Sequence, residues 1–485
     1  MERELQAARN RVGGEWVDPS RDGQSVENPA TAEAIGRVGF SDEADVDDAV
    51  TAAAEAFESW RETPVEDRVQ PLFRLKSLLE DEQDELAELL VREHGKTLAE
   101  ARGEIRRGIE NVEVACGVPT TMQAGHLANA APGIDETAVR EPLGVFAAVT
   151  PFNFPAMIPL WFLPYAVATG NAFVLKPSER DPYTPTRIVE LAAEAGFPDG
   201  VVNLVHGDAT AVDALCEHPD VEGVSFVGST PVAKHVYETA AANGKRVQAQ
   251  GGAKNHVVVS ATADLETAVE GTLGSAFANS GQRCLANPVA VVVDSVYDEF
   301  AARLADRARS MVVGDGLDEA TEMGPLTTAA HRDRVAGYVE TGVEDGAELL
   351  VDGREAETPA TGHYLGPTVF GDVPTDSALV GEEIFGPILA LVRVPDFETA
   401  IATVNESRYG NAASLFTTSG AEAKRFRHEA DPGNLGVNVG TAAPMAFFHF
   451  GGAKESFFGD LHAQGDDAIR FYTDETVYIE RWPDR

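Results

Sequence analysis

The chain is predicted to be an α/β protein, with a doubly wound, mostly parallel sheet followed by a second α/β domain from about residue 250. Three observations carry this prediction. Apolar runs FAAVT (146–150), AFVLK (172–176), VVNLV (201–205), VSFVG (224–228) and VQAQ (247–250) alternate with helical stretches. Such near-continuous runs suit strands buried on both faces, as parallel strands between helix layers are. A second set of the same kind begins at PVAVVVD (288–294), and 485 residues exceed what one core usually holds.

Taken in order, residues 44–60 and 68–95 show apolar residues at helical spacing with acidic faces, so each predicts a surface helix. A third helix is expected over about 97–117. Helices near 156–169, 184–195, 209–217 and 231–243 would link the first five strands. The second set is expected to hold helices at 264–279, 296–311, 396–407 and 420–428, with a further apolar run at YLGPTVF (364–370). The tail AIRFYTDETVYIERW alternates like a strand and suits a sheet extension, in this chain or in a neighbouring subunit.

Residues 142–175 contain no charged side chain, a length that could span a bilayer. Pro142, Pro151, Pro155, Pro159 and Pro164 break any continuous helix there, so a buried strand, turn, short helix and strand are expected. The N-terminus MERELQAARN is charged and lacks an apolar core, unlike a signal peptide. Three cysteines, Cys116, Cys216 and Cys284, form neither a disulfide framework nor a CxxC site, which points to a reduced cytoplasm. Cys116 and Cys216 fall within helical patterns and read as core. The net charge of −41 argues against nucleic-acid and membrane partners. An ordinary apolar content, 44%, beneath an acidic exterior with only eight lysines suggests adaptation to high salt.

Chemistry gathers at strand ends. Gly228-Ser229-Thr230-Pro231 ends a strand and opens a helix, where free N–H groups favour a phosphate. There is no GxGxxG, and alone this segment better suits a plain strand–helix turn. Lys176-Pro177-Ser178-Glu179 follows the neighbouring strand, where Lys176 and Glu179 suit either ribose hydroxyls or a surface ion pair. An arbitrary cysteine reads first as a buried structural one, but Cys284, in SGQRC, has small and polar flanks, and adjacent Arg283 would favour a thiolate. Asn153, in PFNFP, is an amide just past a buried strand, suited to donate to an oxyanion or to form a turn. No metal-ligating cluster is read.

The motifs PFNFP (151–155), KPSE (176–179), FVGST (226–230), GQRC (281–284) and EEIFGP (382–387), in that order, resemble the aldehyde dehydrogenase superfamily over essentially the whole chain. The resemblance implies Cys284 as nucleophile and Asn153 as oxyanion donor. It implies NAD as cofactor, with Lys176 and Glu179 at the adenosine ribose, Ser229 at the pyrophosphate, and Glu383 with Phe385 at the nicotinamide ribose. Thr150, Phe152, Arg180 and Gly251 complete the expected cofactor face. It also implies an NAD-binding domain over 1–119 and 141–249, a catalytic domain over 250–445, and a bridging arm from 120–140 and 466–485. A homodimer or homotetramer is expected.

Most of the superfamily carries a glutamate four residues before the lysine that is Lys254 here, as general base for thioester hydrolysis. This chain has Gln250, an amide that accepts no proton at neutral pH. The thiol of coenzyme A needs less activation, so Gln250 points to the CoA-acylating branch. RGIENVE (107–113), PFNFPAMIPLW, GAKNH (252–256) and PMAFFHFGGAKESFFGDLHAQG (444–465) resemble methylmalonate-semialdehyde dehydrogenases. That branch implies Arg107 and Arg283 as the clamp for a small aldehyde-acid's carboxylate. The implied reaction is NAD-dependent oxidation of (methyl)malonate semialdehyde through a Cys284 thioester, with loss of CO2 and release by CoA. The alternative is a hydrolytic semialdehyde dehydrogenase using another base, such as Glu383.

Overall fold

The computed structural model describes residues 7–482; the first six residues of MERELQAARN lie outside them. The first sheet has eight strands, in the order Phe457–Gly459, Arg246–Gln250, Val221–Val227, Val145–Val149, Ala172–Lys176, Val202–Leu204, Asn10–Val12 and Glu15–Val17. The five inner strands are parallel, and each outer edge closes antiparallel. From Val145–Val149 the chain proceeds outward in one direction, then returns to build the other side from Val221–Val227. A crevice therefore opens between those two strand ends, the place where such sheets take ligands.

The second sheet has seven strands, in the order Glu348–Val351, Thr368–Gly371, Ile388–Val394, Val289–Val293, His256–Val259, Ala412–Phe416 and Asn434–Val437. All its pairs are parallel except the first. A third sheet is antiparallel: Thr473–Glu480 pairs along Ile134–Pro142, from Thr473↔Pro142 to Glu480↔Asp135, and His126–Ala131 lies beyond. It carries Leu127, Val477, Tyr478 and Ile479 exposed, with Trp482 just past its last strand.

The charge-free stretch folds as expected into strand Val145–Val149, helix Pro159–Thr169 and strand Ala172–Lys176. The helix is buried on every side, which explains its lack of an amphipathic pattern. No helix among the described residues is long and apolar enough to cross a membrane.

Two expectations are corrected. Residues 68–95 are not one helix but Gln70–Asp81 and Gln83–His94, preceded by a short turn of helix at Val65–Arg68. The break falls at Glu82, whose carboxylate receives the Arg187 guanidinium (Nε at 2.9 Å) from another helix. The tail is not a strand throughout: Gly465–Phe471 is helical, and pairing begins at Thr473. Phe471 and Tyr472 pack edge-on against Phe146, which draws this segment onto the first sheet. Cys216 is buried as expected, whereas Cys116 is only half-buried at the end of helix Leu98–Ala115.

Candidate active site

Cys284 lies between two cavities and lines both. The loop carrying it begins where helix Leu265–Phe277 ends. Asn279 (φ 56°), Ser280 (φ 53°) and Gly281 (φ 72°) then follow in the left-handed region. Non-glycine residues pay about 1–2 kcal/mol each for that conformation. Here Ser280 Oγ donates to the carbonyls of Gly324 and Pro325 (2.7 and 3.1 Å), and Asn279 Nδ2 donates to those of Asn153 and Gln282 (3.2 and 3.1 Å). At Gly281 a Cβ would sit 2.3 Å from the Gly386 carbonyl oxygen, so no side chain fits.

The inner cavity, about 260 Å³, is lined by Phe154, Met157, Trp161, Leu285 and Phe450, with Arg107 and Arg283 as its guanidinium groups. Apolar walls with two guanidinium groups suit a short chain ending in a carboxylate. The arginines differ. Arg107 is already engaged by the Glu110 carboxylate (3.0 Å) and the Pro444 carbonyl, and is partly exposed. Arg283 has no ion-pair partner within 4 Å among the described residues, and burial lowers its pKa.

The outer groove, about 510 Å³, runs from Cys284 past Phe152, Asn153, Arg180, Ser229, Gly251, Glu383 and Phe385. Its floor is the crevice between the ends of Val145–Val149 and Val221–Val227. Ser229 begins the 13-residue helix Thr230–Ala242 without a side-chain cap, leaving first-turn N–H groups facing the groove. Gly251 must be glycine, because a Cβ would lie 2.8 Å from the Glu455 carbonyl oxygen. Phe152 is held between the Arg180 guanidinium (4.9 Å) and the edge of Phe385 (5.9 Å). Phe385 itself has φ 60°, with its carbonyl taken by His331 Nε2 at 2.7 Å.

The other expected cofactor residues stand apart from the groove wall. Lys176 and Glu179 face each other at 3.4 Å, and Thr150 is buried with Oγ1 unpartnered. Gln250 lines neither cavity; it is buried with Nε2 unpartnered, its strand paired to Phe457–Gly459. Asn153 Nδ2 donates to the Gln282 carbonyl at 3.0 Å, leaving its second N–H without a partner among the described residues, and Asn153 lines the groove together with Cys284.

The electrostatics correct one expectation. Burial pushes the Cys284 thiol up to about 11, and the positive charge of Arg283 offsets only part of that rise. The resting cysteine is therefore a thiol, not the thiolate its neighbour suggested. Burial likewise raises the Glu383 carboxyl to about 7, although the Ala253 N–H bonds it at 2.9 Å. It also lowers Lys254, whose Nζ has no hydrogen-bond partner among the described residues, to about 7.

Several lining residues were not foreseen. His331, Arg334 and Tyr338 enter the groove from one face of helix Ala329–Glu344, at a spacing of three and then four that the sequence displays. Lys96, Glu100 and Glu104 enter the inner cavity from the start of helix Leu98–Ala115 and just before it. No single-residue signal marks them, since they read as a solvated acidic face.

A doubly wound sheet opens its crevice toward a half-buried cysteine, an amide donor and an uncapped helix, an arrangement suited to a nucleotide-dependent enzyme with a covalent intermediate. The chain belongs to the aldehyde dehydrogenase family, whose profile matches residues 16–477. It is 49% identical to malonate-semialdehyde dehydrogenase 1 of Oceanobacillus iheyensis, over 99% of each chain. Its fold matches that of methylmalonate-semialdehyde dehydrogenase from Oceanimonas doudoroffii with a TM-score of 0.98, at 44% identity and 99% coverage of each chain. A Sinorhizobium meliloti protein described as a methylmalonate-semialdehyde dehydrogenase, solved in complex with NAD, superposes with a TM-score of 0.97 at 41% identity, covering 100% of this chain and 99% of its own.

Proposed function

We propose that this protein oxidises malonate or methylmalonate semialdehyde with NAD, loses CO2, and passes the acyl group to coenzyme A. The observation that carries this reading is Cys284, shared by a cavity holding two arginines and a groove ending at an uncapped helix. The groove suits NAD: Ser229 and the N–H groups of the next turn would hold the pyrophosphate, with Lys176 and Glu179, beyond the groove wall, at the adenosine ribose. Glu383 and Phe385 would hold the nicotinamide end. Glu179 disfavours a 2′-phosphate, and Arg180 is committed to the Phe152 ring. When bound, NAD supplies the hydride acceptor.

The substrate carboxylate pairs with Arg283 and Arg107, which directs the aldehyde carbon to Cys284 Sγ. Cys284 attacks as its thiolate, formed by loss of the thiol proton to solvent; as the C–S bond forms, the carbonyl oxygen becomes an oxyanion, stabilised by the free N–H of Asn153 Nδ2 and the backbone N–H of Cys284. Oxidation leaves an acyl thioester on Cys284 with a carboxylate β to its carbonyl. Loss of CO2 from that carboxylate puts negative charge on the thioester oxygen, where the same donors sit, and the α-carbon then takes a proton from solvent. Water lacks the base that would stand at residue 250, because Gln250 is an amide outside both cavities. The CoA thiol then displaces Cys284 to give acetyl-CoA or propionyl-CoA.

Residues 1–119 with 141–249 are read as the NAD-binding domain, 250–445 as the catalytic domain, and 120–140 with 466–485 as a bridging arm. The exposed Leu127, Val477, Tyr478, Ile479 and Trp482 around the third sheet support a homodimer or homotetramer. The −41 charge supports a cytoplasmic, salt-adapted enzyme. Product analysis tests the reaction: malonate semialdehyde, NAD and CoA are expected to give equimolar NADH, acetyl-CoA and CO2. Free malonate as the product would instead establish hydrolysis.

A further inference from the structure

One face of helix Leu98–Ala115 touches three separate active-site segments. Glu100, Glu104 and Arg107 are spaced four and then three residues apart, which places them in one row along the helix. Glu100 Oε2 accepts from the Thr97 N–H at 2.9 Å to cap the helix, and its Oε1 accepts from the Asn279 N–H at 2.6 Å. Glu104 Oε1 accepts from the N–H groups of Ala156 and Met157, at 2.8 and 3.1 Å. Its Oε2 pairs with Lys96 Nζ at 2.5 Å, and Lys96 Nζ also donates to the Asn153 carbonyl at 2.8 Å. Arg107 reaches the Pro444 carbonyl on the segment leading to Phe450.

The Lys96–Glu104 pair is buried, at 1% and 0% side-chain exposure. Burying two charges costs desolvation that their attraction does not reliably repay, so stability alone does not explain the pair. What it does hold is definite. Residues 150–158 run between a strand and a helix with no ladder of their own, and Pro151 and Pro155 have no N–H to anchor them. Lys96 fixes the backbone of Asn153, while Glu104, paired with it, fixes Ala156 and Met157.

We propose that Lys96, Glu100 and Glu104 are positioning residues that set Asn153 and the Asn279–Cys284 loop in register with each other and with Arg107. This rests on the reading of Cys284 as nucleophile and Asn153 as oxyanion donor. Lys96 and Glu104 act on the donor; Glu100 acts on the loop carrying the nucleophile. A misplacement of about 1 Å at such groups can cost about 100-fold in rate.

The test compares Lys96→Met/Glu104→Gln with the unmodified enzyme. The double variant removes both charges at similar volume, so its urea midpoint is expected to remain close to that of the parent. The single-turnover rate of NADH formation from malonate semialdehyde is expected to fall about 10- to 100-fold. The aldehyde concentration giving half that rate should change less than threefold. Alkylation of Cys284 by iodoacetamide, which needs no oxyanion donor, should proceed at the parental rate. In Glu100→Gln that alkylation rate should change instead. A parental single-turnover rate in the double variant would overturn the proposal, as would alkylation falling in step with it. Asn153→Ala separates the two levels of the argument. If Asn153→Ala is slow and the double variant is not, only the positioning role falls; if Asn153→Ala is itself unimpaired, the underlying reading falls too.

Discussion

Asn255 Nδ2 donates at 2.8 Å to the carbonyl oxygen of Cys284, fixing the backbone of the cysteine that both cavities share. The same nitrogen reaches the Ala286 carbonyl at 2.8 Å, and Asn255 Oδ1 accepts from the Ala412 N–H at 2.9 Å. Asn411 adds a second donor to the Cys284 carbonyl, also at 2.8 Å. Two strands of the second sheet thus grip the nucleophile through asparagines just before them. Asn255→Ala leaves buried backbone groups unpaired, at about 1–3 kcal/mol each. Its urea midpoint is expected to fall with the m-value unchanged, a combination that equilibrium unfolding checks directly.

The buried Cys284 thiol sets a pH dependence. With its pKa raised to about 11, the thiolate fraction in the free enzyme rises roughly tenfold per pH unit across pH 7–9. Iodoacetamide alkylation should follow that slope without levelling off. A plateau by pH 8 would mean that Arg283 outweighs burial.

The two arginines should contribute unequally. Among the described residues Arg283 lacks an ion-pair partner, whereas Arg107 already pairs with Glu110. Arg283→Met is expected to raise KM for malonate semialdehyde about 10- to 100-fold, as loss of a charged hydrogen bond does. Arg107→Met should cost less. Neither change should raise KM for propanal, which has no carboxylate, and steady-state kinetics on both aldehydes separates these effects.

Charge predicts a response to salt. At a net −41, self-repulsion is strong in dilute buffer and is screened within about 3 Å at molar ionic strength. The thermal midpoint is expected to rise between 0.1 and 2 M KCl. An unchanged midpoint would count against salt adaptation.

Much of the scaffold is legible without coordinates, because buried parallel strands announce themselves. AFVLK is strand Ala172–Lys176 as written, and the helix expected over 209–217 is Ala209–Glu217. The motif residues Asn153, Ser229, Cys284, Glu383 and Phe385 meet around one groove. What was not legible depends on contacts distant in sequence. Glu82 interrupts a good helical pattern because Arg187, from another helix, engages it. Arg283 reveals its charge in the sequence but not the burial that raises its neighbour's pKa. Lys96 and Glu104 look like solvated charges until the Asn153 loop folds over them. The antiparallel hairpin Arg21–Asn28 with Glu33–Phe40 went unforeseen, since its mixed polarity lacks a continuous apolar run.

The most direct measurement follows NADH release from malonate semialdehyde in molar KCl, with and without CoA. The account predicts a burst of about one NADH per subunit without CoA, becoming steady turnover once CoA is added. Equal steady turnover without CoA would contradict it, by showing that a base activates water despite Gln250.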